Sequence, residues 1–118
     1  MQKTVLIVEN EFLIAMDLMR MLQALGWQVI GPAASVKAAL QLLDHESPAV
    51  ALLDVNLGTE VVTLVAEVLK ARNVPFAVAS AYDEPEKVGG AVLAGVPNAG
   101  KPTSERQLMA VMAQLTAV

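Results

Sequence analysis

Ala49-Val50-Ala51-Leu52-Leu53-Asp54-Val55-Asn56-Leu57-Gly58 is the stretch on which the fold turns. An apolar run ends at one carboxylate, and turn-forming Asn and Gly follow. A short continuous apolar run bounded by such residues reads as a strand buried on both faces. Strands of that kind belong to parallel sheets with helices on each side. Asp54 then stands where a buried strand opens into a crevice.

Working outward, Thr4-Val5-Leu6-Ile7-Val8 repeats the pattern and ends at Glu9-Asn10-Glu11. Trp27–Gly31 and Phe76–Ser80 are further strands, and Val96–Gly100 is a fifth, restricted to an edge by Pro97. Helical spacing fills the gaps. Glu11–Leu25 places Ile14, Leu18, Met21, Leu22 and Leu25 on one face, with Asn10 as its cap and Gly26 as its stop. Ser35 caps a second helix to about Glu46, with Ala39, Leu40 and Leu43 inward. Glu60–Ala71 is a third, apolar almost all round. Pro85 suits the first position of a fourth, which Gly89-Gly90 weakens. Ser104 and Gln107 form a capping box that opens the last, with Leu108, Val111, Met112 and Leu115 inward. Five strand–helix units imply an α/β fold, a doubly wound five-stranded parallel sheet ordered 2-1-3-4-5, in one domain over residues 1–118.

The bulk figures narrow the function. Of 118 residues, 55% are hydrophobic and 17% charged, enough for a real core, and only 3% are aromatic, so that core is aliphatic. The net charge of −4 argues against nucleic acid, whose phosphates need a basic footprint. No apolar stretch approaches the roughly 18 residues of a membrane span, and the first residues lack the pattern of a signal peptide. Cysteine is absent. A cytoplasmic location is the expectation.

In a sheet of this order, ligands bind beyond the carboxyl ends of the strands, where strand order reverses. Glu9, Asn10, Asp54, Ser80 and Lys101 all fall at such ends. Asp54 can attack phosphorus. Glu9 and Asp54 offer oxygen to a hard cation such as Mg²⁺, and the backbone carbonyl at Asn56 can add another. Lys101 can hold a phosphoryl oxygen as a point charge, and Ser80 can donate its hydroxyl to a second. Each residue alone has a plain structural explanation, as turn, cap or loop. Their convergence favours phosphoryl chemistry on the Asp54 carboxylate.

Val5-Leu6-Ile7-Val8-Glu9-Asn10-Glu11, Leu53-Asp54-Val55-Asn56-Leu57-Gly58, Ser80 and Lys101-Pro102 resemble the motifs of response-regulator receiver domains of two-component signalling. Val78-Ala79-Ser80-Ala81-Tyr82 is similar to the Phe-Ala-Thr-Gly-Tyr variant of an alphaproteobacterial subgroup. The resemblance implies a flavodoxin-like fold and phosphorylation of Asp54 by a histidine kinase or phosphotransfer protein. It further implies Mg²⁺ at Glu9, Asn10, Asp54 and Asn56, a switch hydroxyl on Ser80 and a phosphoryl contact from Lys101. The output implied is contact with a downstream protein, with a homodimer left open; turnover is confined to the chain's own aspartyl phosphate. Three positions depart from the family's habit. Asn10 stands where a second acid is usual, Asn98 where many receivers carry an aromatic switch residue, and Thr103 where an aromatic often follows Lys-Pro.

Rival readings fare worse. Gly95-Val96-Pro97-Asn98-Ala99-Gly100-Lys101 matches the start of a P-loop, but Pro102 replaces the required Ser or Thr. A dehalogenase-type phosphatase wants an acid where Asn56 stands. A flavin module wants a Ser/Thr/Gly-rich loop where Glu9-Asn10-Glu11 stands. The serious alternative is a receiver-like interaction module that works without phosphate, its metal site weakened by Asn10.

Overall fold

The computed structural model describes residues 3–117. The apolar runs become parallel strands: β1 (Thr4–Val8), β2 (Gln28–Ala33), β3 (Val50–Leu53) and β4 (Phe76–Val78), in the order β2-β1-β3-β4. β1 and β3 are buried at every position. The side-chain alternation of a strand explains this. Leu6, Val8, Ala51, Leu53 and Val78 face one way, under α2 (Val36–His45) and α3 (Thr63–Ala71), and meet Leu43, Val65 and Leu69 there. Val5, Ile7, Val50, Leu52 and Ala77 face the other, under α1 (Phe12–Ala24) and α5 (Glu105–Thr116), and meet Leu18, Leu22, Leu108 and Met112. Each fully buried aliphatic side chain contributes about 1.5–3 kcal/mol. A core on both faces of one parallel sheet is the doubly wound α/β arrangement expected.

The fifth strand is reduced to a trace. Residues 96–100 lie beside β4 in the expected place, but only Asn98 bridges to it, opposite Val78. The Val78 N–H donates to the Pro97 carbonyl at 2.9 Å, and the Ala99 N–H to the Val78 carbonyl at 2.8 Å. Pro97 has no N–H to extend the ladder, and Gly100 turns away at φ +82°.

Helix boundaries differ where long-range bonds intervene. α3 begins at Thr63 rather than Glu60, because the preceding residues are engaged elsewhere. Val61 bridges to Asn56, the Val62 N–H donates to the Val55 carbonyl at 3.0 Å, and Glu60 Oε1 accepts the Val36 N–H at 2.8 Å. Glu60 thus joins Ser35, whose side chain accepts the Ala38 N–H at 3.1 Å, in closing the start of α2. Asn10 does not cap α1; Glu11 holds that position without a side-chain cap bond. Ser104 caps α5 as expected, accepting the Gln107 N–H at 3.1 Å.

The fourth helix, α4 (Glu86–Gly89), is a single turn followed by a 3₁₀ turn at Ala91–Leu93. Gly89 is there for close packing as well: a Cβ on it would lie 2.5 Å from Leu93 Cδ1 and 3.2 Å from Val55 Cγ1. Gly90 ends the helix at φ +96°. Trp27, 6% exposed, packs at the amino end of β2, with Lys3 Nζ 5.5 Å from its ring centre. No helix among the described residues is long and apolar enough to cross a membrane.

Candidate functional site

β1 and β3 are neighbours in register, Val8 beside Leu53. The residue after each strand is therefore delivered to the same edge, and these residues are Glu9 and Asp54. Both are carboxylates, and both are buried, at 2% and 5% exposure. Two like charges in one desolvated place need a cation. Lys101 supplies it from the turn that follows the segment beside β4: Nζ stands 3.3 Å from Glu9 Oε1, 3.2 Å from Asp54 Oδ2 and 3.6 Å from Glu11 Oε1.

The electrostatics follow from that geometry. Burial lifts the Glu9 carboxyl above its ordinary 4.5; the Glu11 N–H and Lys101 oppose the lift, and Asp54 adds to it. Burial by itself draws the Lys101 ammonium down, but the hydrogen bond and charge of Asp54, followed by those of Glu9, hold it above its ordinary 10.5. The site thus favours a proton on the amine and makes ionised Glu9 costly.

A cleft of about 380 Å³ opens above Asp54, bordered by Asn10, Asn56, Ser80, Tyr82 and Lys101. Asn10, Asp54, Asn56, Ser80 and Lys101 therefore lie at one place, and Glu9 joins them through its contact with Lys101. Asn10 sits over the loop that follows Asp54, where its Nδ2 would be 3.3 Å from a Cβ on Gly58. The Asn56 side chain is held in the loop, its Oδ1 accepting the Gly58 N–H at 3.0 Å. Ser80 Oγ accepts the Tyr82 N–H at 3.0 Å.

The donor set suits Mg²⁺. Among the described residues, no three His, Cys, Asp or Glu side chains form a ready-made cage. Mg²⁺ needs none, since it keeps several waters and takes one or two carboxylates. Glu9 and Asp54 are the two carboxylates that could serve, and Asn10 and Asn56 border the same cleft with neutral oxygens.

Three further residues take part, in roles that the sequence did not assign to them. Glu11 is a third anion for Lys101. Thr103 Oγ1 donates to the Gly100 carbonyl and closes the turn that carries Lys101. Asn98 Oδ1 accepts the N–H groups of both Ser80 and Gly100, at 3.1 and 2.9 Å. Glu11 already stood in the acidic run after β1, Thr103 after Lys101-Pro102, and Asn98 in an Asn-Ala-Gly run of turn-forming spacing.

Known proteins resemble this chain in sequence and fold. The family model described as response regulator receiver domain matches residues 5–113. The transcriptional regulatory protein PdtaR of Mycobacterium tuberculosis is 31% identical over 94 residues, covering 79% of this chain and 46% of its own length. The phyllosphere-induced regulator PhyR of Methylorubrum extorquens is 36% identical over 87 residues, 71% of this chain and 33% of its own. The chain thus spans less than half the length of these relatives. Two solved structures are matched almost end to end. The receiver domain of PhyR from Erythrobacter litoralis has a TM-score of 0.82 at 28% identity, covering 99% of this chain and 97% of that one. The BeF3-activated conformation of SdrG from Pseudomonas melonis has a TM-score of 0.80 at 34% identity, covering 98% and 97%. With the family model spanning nearly all of the described residues and the acid pair and lysine at the expected strand ends, this chain belongs to the response-regulator receiver domains of two-component signalling.

Proposed function

We propose that Asp54 accepts a phosphoryl group, in the cytoplasm, from the phosphohistidine of a histidine kinase or phosphotransfer protein. The observation that carries this is the reach of one ammonium, Lys101, to two buried carboxylates on adjacent strands. An Asp54 oxygen attacks phosphorus, the P–N bond to histidine breaks, and the imidazole leaves with the electron pair. Mg²⁺ held by Glu9, Asp54, Asn10 and the Asn56 carbonyl would neutralise charge on the phosphoryl oxygens. Lys101 exchanges part of its contact with Asp54 for a phosphoryl oxygen. Ser80, still accepting from Tyr82, donates its hydroxyl proton to another. The chain acts on no external substrate. Its output is a shift between two conformations read by a downstream protein, the β4–α4 loop with Ser80 and Tyr82 being one of the segments that border the cleft where the new charge would lie.

The test is intact mass after incubation with acetyl phosphate and Mg²⁺. Wild type should gain one phosphate and Asp54→Ala none. A second reading, an interaction module that works without phosphate, is favoured by Asn10, a neutral ligand where a charge would serve better. No gain of mass on wild type would install that reading instead.

A further inference from the structure

Asn98 makes a set of bonds for which the phospho-acceptor reading has no use so far. Its Oδ1 accepts from the Ser80 N–H at 3.1 Å and from the Gly100 N–H at 2.9 Å, and its Nδ2 donates to the Tyr82 carbonyl at 3.3 Å. The residue is itself anchored, because the backbone bonds of Pro97 and Ala99 to Val78 flank it on both sides. The segments it joins are the two that carry Ser80 and Lys101.

Ser80 is the second observation. It is 3% exposed and borders the cleft above Asp54. Its Oγ accepts the Tyr82 N–H at 3.0 Å. A hydroxyl has two lone pairs and one proton, so this bond uses an acceptor site and leaves the proton to give. The turn from Ser80 to Tyr82 is therefore a donor set in advance. Asn98 grips both its ends, the N–H of residue 80 and the carbonyl of residue 82. The same Oδ1 grips Gly100, whose carbonyl is bound by Thr103 Oγ1, so the turn leading into Lys101 is fixed as well.

We propose that Asn98 is a positioning residue that clamps the Ser80 hydroxyl and the Lys101 ammonium at a set spacing across the cleft. Both then meet an anion on Asp54 with little rearrangement, which is where prepared donors gain over mobile ones. The amide does this with separate atoms, its oxygen accepting two N–H groups while its nitrogen donates to a carbonyl across the turn. The inference rests on the phospho-acceptor reading.

Beryllofluoride, a phosphoryl mimic that attaches to aspartate, separates the two. Its affinity is measured in Mg²⁺ by ¹⁹F NMR on wild type, Asn98→Ala, Asn98→Asp, Ser80→Ala and the Asn98→Ala/Ser80→Ala pair. Asn98→Ala should bind it about tenfold more weakly, equivalent to about 1.4 kcal/mol. Mg²⁺ affinity should change less than about twofold, since Asn98 touches neither Glu9 nor Asp54. Asn98→Asp keeps the acceptor, loses the donor and should fall between; it carries the comparison if the alanine variant does not fold. In the Ser80→Ala background the Asn98→Ala effect should shrink, because the group being positioned is gone. Affinity unchanged in both Asn98 variants overturns the clamp alone. Equal loss of beryllofluoride and Mg²⁺ affinity also overturns it, as that signals general damage. A wild type that takes no beryllofluoride overturns the clamp and the reading beneath it together.

Discussion

Lys101 and Asp54 are 47 residues apart in the chain, yet Nζ lies 3.2 Å from Oδ2. The approach is built by two turns, one after β3 and one stapled by Asn98 and Thr103. It joins a mobile type of side chain to a nearly immobile one, because Asp54 is buried and the lysine retains some access to solvent.

Removing that ammonium should expose how costly the acid pair is. Lys101→Ala leaves Glu9 and Asp54 buried without their cation, so stability in chelator should fall by roughly 2 kcal/mol. Added Mg²⁺ should return part of the loss. Urea melts with and without the metal check this; a variant as stable as wild type in chelator would contradict it.

Glu9 gives a pH signature. Its folded carboxyl is raised above 4.5, chiefly by burial, so over the window from 4.5 up to the raised value the folded chain binds more proton than the unfolded one. Stability therefore falls as pH rises through that window. Glu9→Gln has no proton to lose there. In chelator, the variant should gain on wild type as pH climbs, and thermal melts at stepped pH should show diverging curves. Parallel curves would mean that Glu9 is not held up.

Asn10→Asp should have opposite effects with and without metal. A third carboxylate at the rim should tighten Mg²⁺ by about tenfold, since affinity follows ligand charge. In chelator the same charge adds repulsion and should cost about 1 kcal/mol. Calorimetric Mg²⁺ titration and metal-free melts measure the two arms. A dissociation constant equal to wild type would show that Asn10 does not weaken the site.

The adjacent glycines should differ in kind. Gly89→Ala gains about 1 kcal/mol of helix propensity. Its methyl, however, would lie 2.5 Å from the end of Leu93, which is 1% exposed and has little room to move. Overpacking of this sort costs about 1–3 kcal/mol, so the net change should be destabilising. Gly90→Ala faces a positive φ of 96° and should lose about 1 kcal/mol for that reason. Chemical denaturation tests both; a stabilised Gly89→Ala would show that the cavity wall yields.

Much of the fold could be read from the chain because its strands are continuous apolar runs. Thr4–Val8 and Val50–Leu53 have the bounds that their composition indicates. The acids and the lysine were legible for the same reason: each ends such a run, and topology carries the ends to one edge. What escaped depends on partners far along the chain. Glu60 has the look of a helix residue, but Val36, 24 positions earlier, claims its carboxylate. Val96–Gly100 has the composition of a strand, but Pro97 and the turn at Gly100 leave it one bridge. Asn98 looks like a missing aromatic until its amide is seen holding two segments. Local periodicity carries none of these bonds.

The chain has a single tryptophan, and it sits at the amino end of β2, covered by Lys3. The reacting edge is at the opposite end of the strands, roughly 20 Å away at about 3.3 Å per residue. Trp27 emission should therefore stay silent when Asp54 is modified and change when the chain unfolds. Fluorescence of the native protein is a clean gauge of unfolding and a blind one for signalling, so an optical assay of activation needs a reporter installed at the other rim.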